Sequence, residues 1–324
     1  MNKIKSIAEI DKTDLKTIFE VDASVIEITM QCNPEMKRPT KFTIKLEESG
    51  ELISACTWDY SLQPILALAV NDMNVYTFKA KANVYNNELN LTVMSGFKTD
   101  KVSAKKVGKI SVDQEEIKNQ VFEIIDRCIE NATLKEIVTR ILNMPDMFVK
   151  PAAKRCHHGF AGGLGLHILG GLRICYSLYK IYKDYVSLEM LIAGYAIHDC
   201  GKVIEYTNDG EFSDEGEFTG HIPYGIAILT SVITDMGLSV TDPIVVQLIS
   251  YISSHHKTLE HGSPSTPATL EAVLIAYADE IDAGMQGAIE SLANIPVGGR
   301  TSMPVKSLDT YLVKVKNDDM LKEH

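Results

Sequence analysis

The chain has 324 residues, of which 45% are hydrophobic and 23% charged, and its net charge is −11. This length exceeds what one hydrophobic core usually serves, so we expect two domains of an ordinary folded protein. The acidic balance argues against nucleic-acid binding by overall attraction. The charge is uneven, however, since residues 1–110 carry 15 basic and 14 acidic side chains and the rest carries 17 and 29. An acidic region can still bind phosphates when bound cations reverse its local sign.

The sequence predicts a cytoplasmic protein with no membrane partner. Its start, MNKIKSIAEIDKTDL, alternates charges where a signal peptide needs an apolar region. The longest apolar runs, such as MLIAGYAI, are far shorter than the roughly 20 residues of a membrane-spanning helix. The six cysteines form no CxxC pair, and we expect free thiols in a reducing compartment. They are Cys32, Cys56, Cys128, Cys156, Cys175 and Cys200.

Residues 20–98 have the pattern of a small β-barrel. Five segments rich in β-branched and aromatic residues alternate partly between apolar and polar side chains. They are SVIEITM, KFTIKLEE, ELISACTW, NVYTFKAKANVY and ELNLTVMSGF. The last two flank Asn86 and Asn87, a pair typical of a tight hairpin turn. Because five short strands suit an OB-like barrel, we assign residues 1–108 to a domain of that kind.

From about residue 109 the pattern changes to helix. Thr133 with Glu136 fits a capping box at a helix start. Apolar residues then recur at spacings of three and four over roughly 160–183, 187–199, 223–237, 243–256 and 267–292. The sequence therefore predicts an all-α domain over residues 109–292, followed by a C-terminal tail at 293–324.

The nine histidines are crowded into the helical region. None precedes residue 157, eight lie between residues 157 and 261, and the ninth is His324. Imidazole is the commonest metal ligand at neutral pH, and carboxylates accompany it when the metal also holds oxygen ligands. Any one of these histidines alone is more often a structural residue, but together they favour a metal site.

The candidate ligands fall at predicted helix ends or on buried faces. In AIHDCGKVIEY, His198 and Asp199 end an apolar helix. Adjacent helical side chains point about 100° apart, so this pair can address one centre only from a helix end, or two centres with the carboxylate between them. Lys202 is available to neutralise a phosphate oxygen. Asp279 and Asp282 lie one turn apart among apolar neighbours, where a half-buried carboxylate needs a partner.

Taken in chain order, the candidate residues resemble the pattern of the HD-domain metal-dependent phosphohydrolases. More narrowly, five segments are similar to the YhaM-type 3′-to-5′ exoribonucleases, which combine an N-terminal OB-fold with a C-terminal HD domain. The segments are CHHGFAGGLGLH, HDCGKVIE, GHIPYGI, SSHHKTLEHGSP and AYADEIDA. The similarity extends over residues 150–290 with little change of spacing. Over residues 20–98 it is a similarity of architecture more than of sequence.

The resemblance implies a centre of two divalent ions. It implies that one ion is held by His167, His198, Asp199 and Asp279, and that Asp199 bridges to a second held by His221 and His255, with His256 nearby. Mn²⁺ is favoured by the mixed imidazole and carboxylate set, and Fe, Mg²⁺ or Co²⁺ are alternatives.

Further roles follow from the same resemblance. Lys202 would contact the scissile phosphate and, with Asp199 and His158, completes the predicted catalytic set. His157 and His158 match a pair that precedes the first ligand, where a substrate or outer role fits. Asp282 is expected to support the ligands from behind, whereas His261 is expected to be a loop residue.

The predicted function is a metal-dependent 3′-to-5′ exonuclease acting on single-stranded RNA, and on single-stranded DNA as an alternative. Two ions would activate a water and stabilise charge on the phosphoryl oxygens. The barrel would hold single strands by stacking and scattered lysines. Its candidate substrate-binding residues are Trp58, Tyr76 and Phe78, with Tyr60, Tyr85, Lys79 and Lys81 as further candidates.

Two alternatives remain open at this stage. One is an HD phosphodiesterase for cyclic or free nucleotides, in which the barrel serves regulation or assembly. The other is a nucleic-acid-binding adaptor whose HD site is not catalytic. The sequence also leaves open a homo-oligomer.

Overall fold

The computed structural model describes residues 3–11, 14–31, 37–72, 74–85, 88–102, 109–153, 158–207, 210–293, 295–305 and 307–315. These residues form two compact units. The barrel unit comprises the described parts of Met1–Asp113 and of Ala288–His324, and the helical unit those of Gln114–Gly287. Several residues named above lie outside the described ranges, namely Cys32, Asn86, Asn87, Cys156, His157 and His324.

The barrel unit is built from seven strands, and five of them close into a ring. They are β1 (Lys3–Ile4), β2 (Ile18–Met30), β3 (Thr40–Leu46), β4 (Leu52–Thr57), β5 (Asn74–Tyr85), β6 (Glu88–Val102) and β7 (Lys109–Val112). The pairing order β2-β3-β4-β6-β5 closes when β5 pairs with β2, and only β4 and β6 run parallel within this ring. The short strands β1 and β7 add to β2 in parallel. The predicted small N-terminal barrel is confirmed.

The alternation of side chains along the strands separates the core of the barrel from its surface. In β3, Phe42, Ile44 and Leu46 are buried, whereas Lys41 is exposed. Burying one such side chain stabilises the fold by roughly 1.5–3 kcal/mol. This alternation is the period-two pattern that identified the strand.

Two of the predicted substrate-binding residues belong to this core. Tyr76 and Phe78 are 0% and 1% exposed, and their rings stack with centroids 6.1 Å apart. The Tyr76 hydroxyl donates a hydrogen bond to Asp72 Oδ2 over 2.8 Å. The prediction that these rings stack on substrate bases is therefore corrected, because neither presents a face to solvent.

A helix that we did not predict follows β4. The helix α1 (Gln63–Asn71) lies between β4 and β5 and packs on β2. Leu66, Ala69 and Val70, spaced as one face of a helix, are buried. Its sequence, QPILALAVN, is apolar on most sides, which hides the helical period.

The helical unit contains α2 (Gln114–Cys128), α3 (Ala132–Leu142), α4 (Gly163–Tyr182), α5 (Leu188–Ile197), α6 (Lys202–Glu205), α7 (Asp214–Thr219), α8 (His221–Asp235), α9 (Pro243–Ser254) and most of α10 (Leu270–Leu292). The predicted all-α region is confirmed. Asn131, not Thr133, caps α3, since its side chain accepts a hydrogen bond from the Leu134 amide. None of the helices in the described ranges is long and apolar enough to cross a membrane.

The predicted boundaries differ from the division into units at two places. Lys109–Val112 pairs with β2 as a strand, so the first boundary falls at Asp113 and not at residue 108. The described residues of the predicted tail group with the barrel unit. In that segment two isolated bridges, Arg300 to Val313 and Val305 to Thr310, hold an antiparallel turn.

Candidate metal centre

The centre of the helical unit is the carboxylate of Asp199, which follows α5 and is 2% exposed. Five side-chain nitrogens lie within 3.5 Å of its two oxygens. Oδ2 is 2.6 Å from Lys202 Nζ, 3.3 Å from His198 Nε2 and 3.4 Å from His167 Nε2. Oδ1 is 3.4 Å from His221 Nε2 and 3.5 Å from His255 Nε2. Neither oxygen has a hydrogen bond of acceptable geometry within the described part of the chain.

Two of these histidines are oriented by helix ends. His198 and His255 directly follow α5 and α9. Their Nδ1 atoms donate to the carbonyls three residues earlier, over 2.6 Å to Tyr195 and 2.9 Å to Ile252. Carbonyls in the last turn of a helix lack partners within the helix, so this bond satisfies them and turns each Nε2 towards Asp199.

The other two histidines are oriented by carboxylates. His167, in α4, has Nδ1 2.7 Å from Asp282 Oδ2. His221, the first residue of α8, has Nδ1 3.0 Å from Glu205 Oε1, and its backbone amide donates to the same oxygen over 3.1 Å. A carboxylate behind a histidine fixes its tautomer and raises its basicity, as is usual for metal-ligating histidines.

The four rings form two pairs on opposite oxygens of Asp199. The Nε2 atoms of His167 and His198 are 3.4 Å apart, and those of His221 and His255 are 3.3 Å apart. Two nitrogens that share one ion at about 2.0–2.1 Å can be separated by at most about 4.2 Å, so both pairs fit an ion. Asp279 Oδ1 lies 3.1 Å from His167 Nε2 and joins the first pair.

Positive charge is required between these groups. With Nδ1 as the donor, each neutral imidazole presents a lone pair at Nε2, and all four lone pairs then face a carboxylate. Burial raises the pKa of Asp199, but Lys202 and His198 outweigh it and hold that pKa well below its usual value. Burial lowers the pKa of His198, yet the charge of Asp199 raises it to about 9. Two imidazolium rings with Nε2 atoms 3.4 Å apart repel each other, so one metal ion per pair suits the site better than protons.

His256 adds a further nitrogen to the second pair. Its ligand atom lies within 4.8 Å of those of His221 and His255. Its Nδ1 donates to the backbone carbonyl of His261 over 2.9 Å, so the side chain of His261 is not needed for this contact. Burial and the neighbouring histidines lower the pKa of His256 to about 3, which keeps the ring neutral as a ligand must be.

The structure therefore brings together all seven predicted metal ligands. Three overlapping sets have ligand atoms close enough to share an ion: His221, His255 and His256; His167, His198 and Asp199; and His198, His255 and Asp279. These buried clusters of histidine and aspartate suggest divalent metal binding. They do not distinguish Mn²⁺ from the other candidate ions.

The remaining predicted catalytic residues lie beside this centre. Lys202 is buried, and its ammonium is the cation closest to Asp199. Burial lowers the pKa of Lys202, but Asp199 and Asp279 more than compensate and raise it. His158, at a left-handed φ of 55°, is buried with Nε2 3.4 Å from Asp282 Oδ2. It therefore contacts the same carboxylate oxygen as His167 Nδ1.

Two residues that orient the histidines could hardly be predicted from the sequence. Glu205, which orients His221, belongs to the motif HDCGKVIE, where nothing but its acidic side chain in a buried turn indicates a role. Tyr195 acts through its backbone carbonyl, which no residue type can signal. Asp282 was expected to lie behind the ligands, and it contacts both His167 and His158.

Of the aromatic barrel residues predicted to bind substrate, Trp58 and Tyr85 are exposed, by 59% and 67%. Trp58 lines a groove of about 320 Å³ in the barrel unit. The lining residues are Leu15, Trp58, Lys81, Ala82, Asn83 and Thr92. Lys81 and Thr92 face each other across β5 and β6.

Comparison with known proteins agrees with this geometry. Residues 165–284, which contain all the candidate ligands above, match the family model described as HD domain. This part of the chain therefore resembles an HD domain. Over most of its length the chain is also similar to proteins named 3′-5′ exoribonuclease YhaM, as the motifs indicated. It is 27% identical over 270 residues to the 3′-5′ exoribonuclease YhaM of Geobacillus sp. (strain WCH70), which covers 79% of this chain and 80% of the relative.

Two further relatives of the same name extend this similarity. YhaM from Listeria welshimeri is 28% identical over 285 residues, and YhaM from Listeria monocytogenes serotype 4b is 29% identical over 285 residues. Each alignment covers 82% of this chain and 87% of the relative. The resemblance therefore includes barrel and helical units alike.

Proposed function

We propose that this chain is a metal-dependent phosphodiesterase that shortens single-stranded RNA from its 3′ end. The observation that carries the proposal is the convergence of four imidazole Nε2 atoms on the two oxygens of buried Asp199, in two pairs. The similarity to YhaM exoribonucleases supports the reaction and the substrate class. Single-stranded DNA is a second substrate to test.

Each residue has a defined part in this reaction. The two histidine pairs, with Asp199 and Asp279, would hold two divalent ions, with Mn²⁺ favoured, which would supply Lewis acidity to a water and to the phosphoryl oxygens. Asp199 offers one oxygen to each histidine pair. Lys202 holds a positive charge at Nζ beside Asp199, where it is proposed to bind a phosphate oxygen. His158 is proposed to contact the substrate from the Asp282 side.

The barrel is proposed to bind the strand upstream of the cut. Lys41 and Lys45 alternate with buried residues on β3, and Lys79 and Lys81 do so on β5. These lysines can contact phosphates, and the exposed indole of Trp58 offers a face on which a base can stack. Such contacts tolerate any base sequence, as an exonuclease without sequence preference requires.

The experiment is digestion of a 5′-labelled single-stranded RNA by the full chain with Mn²⁺, with products resolved on a denaturing gel. We expect a ladder that shortens from the 3′ end, and no products from an Asp199→Asn variant with normal folding. His261→Ala is the matched control, because it keeps the carbonyl that orients His256 and should retain activity.

Two outcomes would contradict the proposal. The first is intact RNA alongside hydrolysis of a cyclic dinucleotide, which would indicate a phosphodiesterase for small nucleotides. The second is RNA binding without turnover in the wild-type chain at saturating metal, which would indicate an adaptor. A matched DNA strand in the same assay measures the preference between the two nucleic acids.

A further inference from the structure

Lys257 directly follows His255 and His256 and has an unusual backbone. Its φ is 67°, in the left-handed region that residues other than glycine seldom adopt. The turn is held by hydrogen bonds from the Lys257 amide to the Ser254 carbonyl over 2.9 Å and from the Thr258 amide to the His256 carbonyl over 2.8 Å. A strained residue persists where the surrounding structure fixes it, and such positions cluster at functional sites.

The Lys257 side chain connects this turn to α10. Its Nζ lies 2.6 Å from Glu280 Oε2 and 4.5 Å from the centroid of the Tyr277 ring. Tyr277 and Glu280 are three residues apart in α10, so they present one face to the ammonium. Asp279, which joins the first histidine pair, lies between them in sequence.

The contacts of Lys257 are better suited to holding a geometry than to stabilising the fold. Its side chain is 31% exposed and that of Glu280 is 53% exposed, and ion pairs this open to water contribute little to stability. That contribution is opposed by the cost of the left-handed backbone. What the contacts do fix is the distance between the His255–His256 turn and α10, whose ligand atoms at His255 and Asp279 lie within 4.8 Å of each other.

We propose that Lys257 is a positioning residue that locks the His255–His256 turn against α10 and so sets the spacing between the two halves of the metal centre. This inference rests on the proposed function for its biological purpose, but its test measures metal binding. Removing the ammonium frees the turn while every metal ligand remains. The ion on the His221–His255 side should then be bound more weakly than the ion on the His167–His198 side.

The test is calorimetric titration of the metal-free full chain with Mn²⁺. We expect Lys257→Ala and Glu280→Gln each to weaken the binding of one of the two ions about tenfold, which is the usual effect of losing a contact that supports a metal ligand. The affinities of Lys257→Arg should stay within about twofold of wild type. In the double variant Lys257→Ala with Glu280→Gln, the loss should equal that of Lys257→Ala alone, because Glu280 then has no ammonium left to bind. Lys183→Ala, at an exposed lysine after α4, is the control.

Two further measurements separate positioning from simple folding. Lys257→Gly removes both the ammonium and the backbone strain, so it should weaken the same ion while its melting temperature equals or exceeds that of wild type. In the metal-free protein, the Lys257 and Thr258 amides should exchange hydrogen faster in Lys257→Ala. Wild-type affinity for both ions in Lys257→Ala and Lys257→Gly would overturn the inference, as would equal weakening by Lys183→Ala. If RNA stays intact but these titrations behave as expected, the proposed function fails and the role of Lys257 stands.

Discussion

Replacing Asp282 by Asn should weaken the binding of one of the two proposed metal ions and leave the binding of the other unchanged. Asp282 Oδ2 is 2.7 Å from His167 Nδ1, so its charge makes the ring more basic at Nε2. His221 and His255 take their Nδ1 partners from Glu205 and Ile252 instead. Asparagine keeps an oxygen that can accept the same hydrogen bond but removes the charge.

The size of the effect follows from the kind of bond that changes. A hydrogen bond to a charged group contributes about 1.5–3 kcal/mol net, and a neutral one about 0.5–1.5 kcal/mol. The difference of about 1–2 kcal/mol corresponds to about 5–30-fold weaker binding of the ion held by His167. This range overlaps the 10- to 100-fold losses, on the order of magnitude, that are usual when a carboxylate behind a ligand is removed.

The assay is titration of the metal-free full chain with Mn²⁺, fitted to two sites. One site should weaken by the stated factor while the other keeps its wild-type affinity. Gly170→Ala tests the same contact from the opposite side, because a methyl group on Gly170 would overlap the Asp282 carboxylate and displace it. The reasoning is refuted if Asp282→Asn binds both ions as wild type does, or if both ions weaken equally.

The remaining predictions concern the barrel and the packing behind the site. Trp58→Ala should weaken the binding of single-stranded RNA about 5- to 150-fold, because one stacked base is lost. Phe97 is also exposed but lies outside the groove, so Phe97→Ala should leave binding unchanged. Fluorescence anisotropy at fixed salt measures both. Burial raises the pKa of Asp22, but two lysines and a threonine hydroxyl outweigh it and lower the pKa to about 2. The Asp22 carboxylate should therefore contribute up to about 2 kcal/mol to the free energy of unfolding above pH 4, and this contribution should be lost between about pH 4 and pH 2. The urea midpoint, read from the fluorescence of Trp58, should lose this pH dependence in Asp22→Asn. Gly171→Ala should destabilise the helical unit by about 1–3 kcal/mol, because the methyl group would overlap the buried ring of Tyr195, and thermal melting checks it.

The candidate metal ligands could be predicted because their signal lies in residue type and order. A single histidine or aspartate at a helix end is more often structural, but several of them in one helical region favour a metal site. His198 beside Asp199 further restricts the geometry to a helix end or to two centres that share the carboxylate. The groups that orient the ligands gave much less signal. Tyr195 and Ile252 act through carbonyls, and the role of Glu205 depends on a contact sixteen residues along the chain, with His221.

In the barrel, the sequence located the strands better than it located their faces. Period-two alternation fails where both faces of a strand are covered, and Val75 to Phe78 in β5 are all buried. An aromatic residue there looks like a stacking residue by its type alone, which is why Tyr76 and Phe78 were misassigned and Trp58 was not distinguished from them. The helix α1 was missed for a related reason, since QPILALAVN is apolar on most of its circumference.

The two kinds of partner at Nδ1 give each histidine pair one fixed ring and one adjustable ring. His198 and His255 are anchored by main-chain carbonyls that no substitution can remove, whereas His167 and His221 depend on Asp282 and Glu205, which a single codon change alters. Substitutions at Asp282 or Glu205 can therefore change the basicity of one histidine in either pair while the other histidine of that pair keeps its orientation. If each pair binds an ion as proposed, the metal preference of the two pairs can change independently, without any change to the candidate ligands.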